Sequence, residues 1–232
     1  MKKYKINSDG RIVALISGVW GDVGTIGGFV DSEKNLSHRG DCWIYDDAKV
    51  SDDAKVSGYA KVSGNAKITG YARVYGNAKV TDYARVFGNA RVFGNACVYE
   101  NAFVYENARI SGNVCVFGDA QVFGDVKVFG DIKVSDDVKV SGKATISGNV
   151  CVYDNAEVSG HAWVSGNVSV SGNAEVYGHA WVSDNARVYG NSQVFGYAQV
   201  SGYAKVSGTM QITQLYNSPV NIEEISDELM AI

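Results

Sequence analysis

From Ile44 to Ile212 every sixth residue is Val or Ile, 29 positions without a gap. Two residues earlier stands a small or aliphatic residue, and 20 of the 27 such positions from Ala48 to Ala204 are Ala. Two residues earlier again comes Gly or an acid, usually followed by Asn, Asp, Tyr or His. A close instance of the unit is Gly64-Asn65-Ala66-Lys67-Ile68-Thr69. A period of six is neither helical nor a continuous alternation. Within the unit, Ala66 and Ile68 lie two apart and share one side of a short strand, while Lys67 and Thr69 point the other way. The Gly-Asn pair tolerates a left-handed backbone and so supplies a corner. One hexad cannot bury its own apolar face. Stacked coils bury each other's, which predicts an all-β solenoid.

Outside the array the pattern changes. Lys3 to Ile6, the Ser8-Asp9-Gly10 turn and Arg11 to Ile16 read as a β-hairpin. It would cover the open edge of the first coil. The apolar stretch from Ile12 to Trp20 follows Asp9 and Arg11, is broken at Ser17-Gly18, and has no small-x-small site after it. It reads as a strand, not as an export signal. Beyond the array, Ser218-Pro219 signals a helix start, and Ile222, Ile225, Leu229 and Ile232 recur at helical spacing. The expected organisation is a cap and lead-in over 1–43, the repeat over 44–212, and a capping segment with a short helix over 213–232.

The Val-x-x-x-Ala-x hexads resemble the left-handed parallel β-helix of hexapeptide-repeat proteins, a fold shared by many acyltransferases. That resemblance implies triangular coils of 18 residues, nine to ten of them, making a rod roughly 45 Å long at about 4.8 Å per coil. The sequence departs from the transferase pattern just after each aliphatic, where Ser, Thr, Phe or Tyr stands. The run Gly27-Gly28-Phe29-Val30-Asp31-Ser32-Glu33-Lys34-Asn35-Leu36-Ser37, with Gly40-Asp41-Cys42-Trp43-Ile44-Tyr45, resembles the lead-in of uncharacterised bacterial and phage hexapeptide-repeat proteins.

Composition narrows the classes. With 46% hydrophobic and 20% charged residues in 232, the chain can bury a core. Twenty-seven Gly against a single Pro exclude collagen. No run approaches the roughly 18 apolar residues of a membrane span. The net charge of −4 resides in Glu223, Glu224, Asp227 and Glu228, because the other residues balance. Cys97 and Cys115 fall on one outward column and Cys42 in a core phase. No CxxC or Cys/His cluster supports zinc, and reduced thiols are expected. Acids replace Gly at eight corners, five of them in one column (Asp46, Asp82, Glu100, Asp136 and Asp154). Calcium could be recruited there, but solvated turn acids are the simpler reading, so no metal and no cofactor is expected.

Folding the sequence at 18 residues exposes two candidate sites. Gly160-His161-Ala162-Trp163-Val164-Ser165 recurs one coil later as Gly178-His179-Ala180-Trp181-Val182-Ser183, with Glu157 and Glu175 four residues before each His. This reading stacks two histidines at a corner, two tryptophans beside them, and two glutamates across the corner. A Glu-paired His suits general-base work, and exposed Trp suits a sugar, a base or a protein. Duplication of one coil, with aromatic stacking as a pairing device, explains the same residues. The second candidate is a basic face of Lys55, Arg73, Arg91, Arg109 and Lys127, with Tyr75, Phe93 and Phe129 interleaved. Nearby acids and the balanced charge argue against nucleic acid and favour solvated cations that keep a sheet face soluble.

The function expected is a non-catalytic interaction or scaffold protein in the cytoplasm. Its partner would be an unidentified protein or glycan held on a side face, in the manner of a phage or mobile-element accessory protein. Homo-oligomers through a side face or the C-terminal segment are compatible with it; a membrane is not invoked. The first alternative, implied by the resemblance, is an acyltransferase with an acyl-CoA-type donor, for which only His161 and His179 could serve. The second is a self-assembling structural rod.

Overall fold

The computed structural model describes residues 2–213 and 215–218. Each hexad contributes a strand of two to four residues, and strands 18 residues apart pair in parallel, as Lys49↔Lys67 and Val50↔Ile68 do. Three sheets result and form the three sides of a coil. The first face runs from Lys49–Val50 to Gln211–Ile212, and the third from Trp43–Ile44 to Lys205–Val206. The second runs from Lys55–Val56 to Gln199–Gly202 and ends on Leu215–Ser218. The array places ten strands on the first and third faces and nine on the second, where Leu215–Ser218 makes the tenth, so the rod is a parallel β-solenoid of about ten coils.

The inward residues make one continuous core. Ala66 and Ile68, like their equivalents from Ala48 to Val206, are buried, while Lys67 is exposed. Burying each Val or Ile side chain contributes about 1.5–3 kcal/mol, which a single hexad could not realise. Ser192, the one polar residue in the Ala phase, donates its hydroxyl hydrogen bond to Tyr189 O at 2.8 Å. Backbone amides tie each coil to the next, as in Lys49 N to Ala66 O at 2.9 Å and Ser51 N to Ile68 O at 3.0 Å.

Corners need a positive φ. Gly64 sits at +67°, and a Cβ there would stand 2.9 Å from Asp82 N in the next coil. The eight acidic corners hold the same conformation, with φ between 54° and 62°. Their compensation is a hydrogen bond. The Asp46 carboxylate accepts from Gly64 N at 2.9 Å, Glu100 from Gly118 N at 2.8 Å, and Asp154 from Gly172 N at 2.8 Å. Seven of the eight acids, all but Glu106, thereby satisfy the corner amide one coil on, a group without a backbone acceptor in the described residues.

The lead-in forms an antiparallel meander: β1 (Tyr4–Ile6), β2 (Arg11–Ala14) and β3 (Ile26–Val30). The expected hairpin is therefore present, and β3, unforeseen, joins it to the solenoid by pairing in parallel with Lys49–Val50. Gly27 and Gly28 permit that approach, since a Cβ on either would lie 2.5 Å from Ile44 O or Ala48 O. Trp20 stacks on Trp43 at 5.1 Å over the first coil. Lys3, almost fully buried, donates from Nζ to Cys42 O at 2.7 Å and Gly40 O at 3.2 Å. At the other end, Leu215–Ser218 adds a further strand beside Gln199–Gly202, so the chain beyond Ile212 begins as solenoid. The short helix expected after Ser218 lies outside the described residues.

Candidate functional site

The duplicated coil places its aromatics as columns. His161 and His179 stack at 4.8 Å, and the stack continues to Tyr197 at 5.0 Å. Trp163 and Trp181 stack at 5.4 Å with planes 12° apart, and both rings are about half exposed (47% and 45%). The rings face each other along the rod axis and turn their edges to solvent. A sugar stacks on a ring face, so this arrangement suits an edge contact with protein better than a glycan.

The glutamates do not join the histidines. Glu157 accepts from Lys139 Nζ at 3.3 Å, and Glu175 from Gln193 Nε2 at 3.0 Å, both along the first face. Neither forms a hydrogen bond or ion pair with His161 or His179 among the described residues. The expected contact across the corner fails because in-register neighbours lie only one coil spacing away, about 4.8 Å. Without an orienting carboxylate, neither exposed imidazole has the geometry of a positioned base. A groove of about 640 Å³ lined by Cys151, Ser169, Arg187 and Lys205 contains neither histidine.

The basic face is assembled as the 18-residue columns require. Lys55, Arg73, Arg91, Arg109 and Lys127 are consecutive register partners on the second face. Four are exposed and Arg91 is half-buried. Tyr75 and Phe93 stack at 4.9 Å beside them, while Phe129 is 44% exposed.

The cysteines are free. Cys97 and Cys115 are register partners, and burial pushes the Cys115 thiol up, with Cys97 adding to the effect. A raised thiol stays protonated at neutral pH and is a poor nucleophile. No group of three or more His, Cys, Asp or Glu among the described residues could hold a metal ion. The acidic column is occupied instead by the corner amides described above.

Two arrangements escaped the sequence reading. The first is a set of amide ladders along the corners, such as Asn77 Nδ2 to Asn95 Oδ1 at 3.1 Å and Asn95 Nδ2 to Asn113 Oδ1 at 2.9 Å. Their signal was the repeated Asn one residue after each Gly. The second is the polar cluster of the cap. The Tyr4 hydroxyl donates to Leu36 O at 2.8 Å, its ring stacks on His38 at 4.4 Å, and Lys3 lies 5.0 Å above Trp20. Burial lowers the Lys3 pKa and raises those of Tyr4 and Cys42. These residues occur once each, with no period to reveal them, and they seal the first coil.

A polymer-forming cytoskeletal family, bactofilin, matches residues 102–218, half of the chain. The chain belongs to the bactofilin family. A shorter match, to the YdcK β-solenoid repeat, covers residues 84–100, so the two lie side by side on the array. No curated protein matches the chain. Neither the acyltransferase association implied by the hexads nor the phage association implied by the lead-in appears in these matches. No helix in the described residues is long and apolar enough to cross a membrane.

Proposed function

We propose that this bactofilin-family chain is a non-catalytic structural rod that assembles with further copies of itself in the cytoplasm. The observation that carries this reading is the unbroken array. No inserted loop interrupts the 29 hexads between Ile44 and Ile212, and loops are where catalytic residues concentrate, as the resemblance to the acyltransferases also implies. The family's description as polymer-forming and cytoskeletal supports it. The cap of 1–43, the rod of 44–212 and the segment of 213–232 act as three units in this reading. Sedimentation velocity against concentration, with negative-stain microscopy, tests it. Species growing beyond one rod length of about 45 Å are expected. A monomer at every concentration would overturn the proposal.

The half-exposure of Trp163 and Trp181 favours a second role, docking of a protein partner on that coil. The double variant Trp163→Ala, Trp181→Ala should then lose a partner captured from native-host lysate while keeping its melting curve. Retention of the partner would reject the site. Thermal melts with acetyl-CoA and related donors should show no protection, whereas clear protection would revive the acyltransferase reading.

A further inference from the structure

We propose that the basic ladder of the second face receives the acidic segment 219–232 of a second copy of the chain. The proposal rests on the self-assembly reading and names the contact that drives it. The ion pairs among the described residues are Lys2–Glu33, Arg11–Asp47, His38–Glu33 and Lys139–Glu157. None of Lys55, Arg73, Arg91, Arg109 and Lys127 is among them. Among the described residues these five like charges stand in register about 4.8 Å apart without an ion-pair partner, an arrangement that is destabilising on its own. The other faces lack such a run. Phe103 and Gln121 follow Arg85 on the first, and Cys97 and Cys115 follow Lys79 on the third.

The surroundings suit an amphipathic ligand. Arg91, Arg109 and Lys127 border a groove of about 340 Å³ with Asn89, Asn107 and a single acid, Asp125. The Asp125 carboxylate accepts from Asn107 Nδ2 at 2.8 Å, and its one negative charge offsets only part of the three cations beside it. The half-buried Tyr75–Phe93 stack lies beside the cations and offers an apolar margin. The chain itself carries the complement. Residues 209–232 hold Glu223, Glu224, Asp227 and Glu228 but no Lys or Arg, and Ile222, Ile225 and Leu229 are interleaved with the acids.

Reach decides between the chain's own segment and a neighbour's. Leu215–Ser218 ends the same second face, five ladder steps from Lys127, six from Arg109 and eight from Arg73. At about 4.8 Å per step these are roughly 24, 29 and 38 Å. The four acids lie five to ten residues beyond Ser218. Even fully extended they reach about 18 to 36 Å. A chain's own acids thus stop at Arg91, seven steps or about 34 Å away, and leave Arg73 and Lys55 uncovered. A second copy's segment has no such limit and can set its four acids against any part of the ladder.

A charge-reversal cycle on the full chain tests this by sedimentation velocity at low and high salt. One variant carries Arg73→Glu, Arg91→Glu and Arg109→Glu; another carries Glu223→Lys, Glu224→Lys, Asp227→Lys and Glu228→Lys; the third combines them. Each reversal alone should raise the concentration of half-assembly at least about tenfold, and the combination should restore it to within about threefold of wild type. Salt near 1 M, where the Debye length falls to about 3 Å, should mimic a single reversal. If a reversal prevents folding, the Arg→Gln forms and a labelled 219–232 peptide take its place; the peptide should bind wild type and not the ladder variant. Assembly indifferent to both reversals overturns this contact and leaves the self-assembly reading standing. A monomeric wild type overturns both. Peptide binding matched by a compact, concentration-independent monomer would assign the segment to its own chain and overturn the second-copy proposal. So would capture of anionic vesicles or an oligonucleotide by the ladder, with assembly unchanged in the segment variant.

Discussion

Two stretches of the same rod share one interior and differ on the outside. Residues 46–143 carry thirteen Lys or Arg and twelve Asp or Glu, whereas residues 144–213 carry two and four. Along the second face the change is abrupt: Lys127 is followed by Thr145, Trp163, Trp181 and Gln199. The inward positions show no such break, since Val122 and Val176 are equally buried. A solenoid separates these properties cleanly. The residues at the Ala and Val phases set stability coil by coil, and the outward phases are free to vary with whatever the surface must meet. The charge-rich stretch bears the basic ladder, and the charge-poor stretch bears the stacked Trp pair.

The largest test of this contrast is in the core. Val122→Asp and Val176→Asp should each bury an unpaired charge at a cost above about 4 kcal/mol and prevent cooperative folding in either stretch. A cooperative thermal melt from one variant and not the other would break the claim of a uniform interior.

Corners come next. Gly160→Ala forces a left-handed alanine and brings its Cβ to 2.8 Å from Gly178 N, and Gly64→Ala does the same at 2.9 Å from Asp82 N. Denaturant titrations should show losses of about 1–3 kcal/mol for both. A loss confined to one stretch would mean that the coils are not mechanically equivalent.

Acidic corners should be gentler, because strain and hydrogen bond oppose one another. Asp154→Gly relieves a φ of 62° and gives up the bond from Gly172 N, for a net change within about 1 kcal/mol. Asp154→Ala keeps the strain and loses the bond, so it should cost about 1–2 kcal/mol. Equal values for the two would show that the carboxylate does not act as a cap.

The smallest effect separates the two surfaces directly. Arg91→Gln removes the middle of five like charges and should stabilise the monomer by about 0.2–1 kcal/mol at low salt, an increment that disappears in high salt. Arg187→Gln, in the charge-poor stretch, loses one like-charged register partner, Lys205, against two for Arg91, and should show about half that gain. Melting curves at two ionic strengths check both.

Much of this was legible from the residues alone. The phase of Val122 in the hexad places it inside, and the 18-residue column places Arg91 between Arg73 and Arg109; both follow from strand alternation and a constant coil length. The same columns foresaw the His161–His179 and Trp163–Trp181 stacks. They placed Glu157 in register with Glu175 but missed its partner, Lys139 along its own face, because column position says nothing about which neighbour a flexible side chain selects. They also left the role of Asp154 open, since a carboxylate at a turn reads the same whether it faces water, calcium or an amide.

Period and phase, carried by local sterics and repeated 29 times, were therefore enough to determine a β-solenoid, its interior and the order of its outward ladders. Only the folded chain decided how the ends and corners are satisfied. The meander that seals the first coil through Lys3, Trp20 and Trp43 depends on contacts that occur once. The acid-to-amide caps depend on two coils meeting at van der Waals distance. The Trp rings present edges because parallel pairing turns their faces toward each other. Contacts of these kinds have no period, so no pattern in the chain announces them before the coils are stacked.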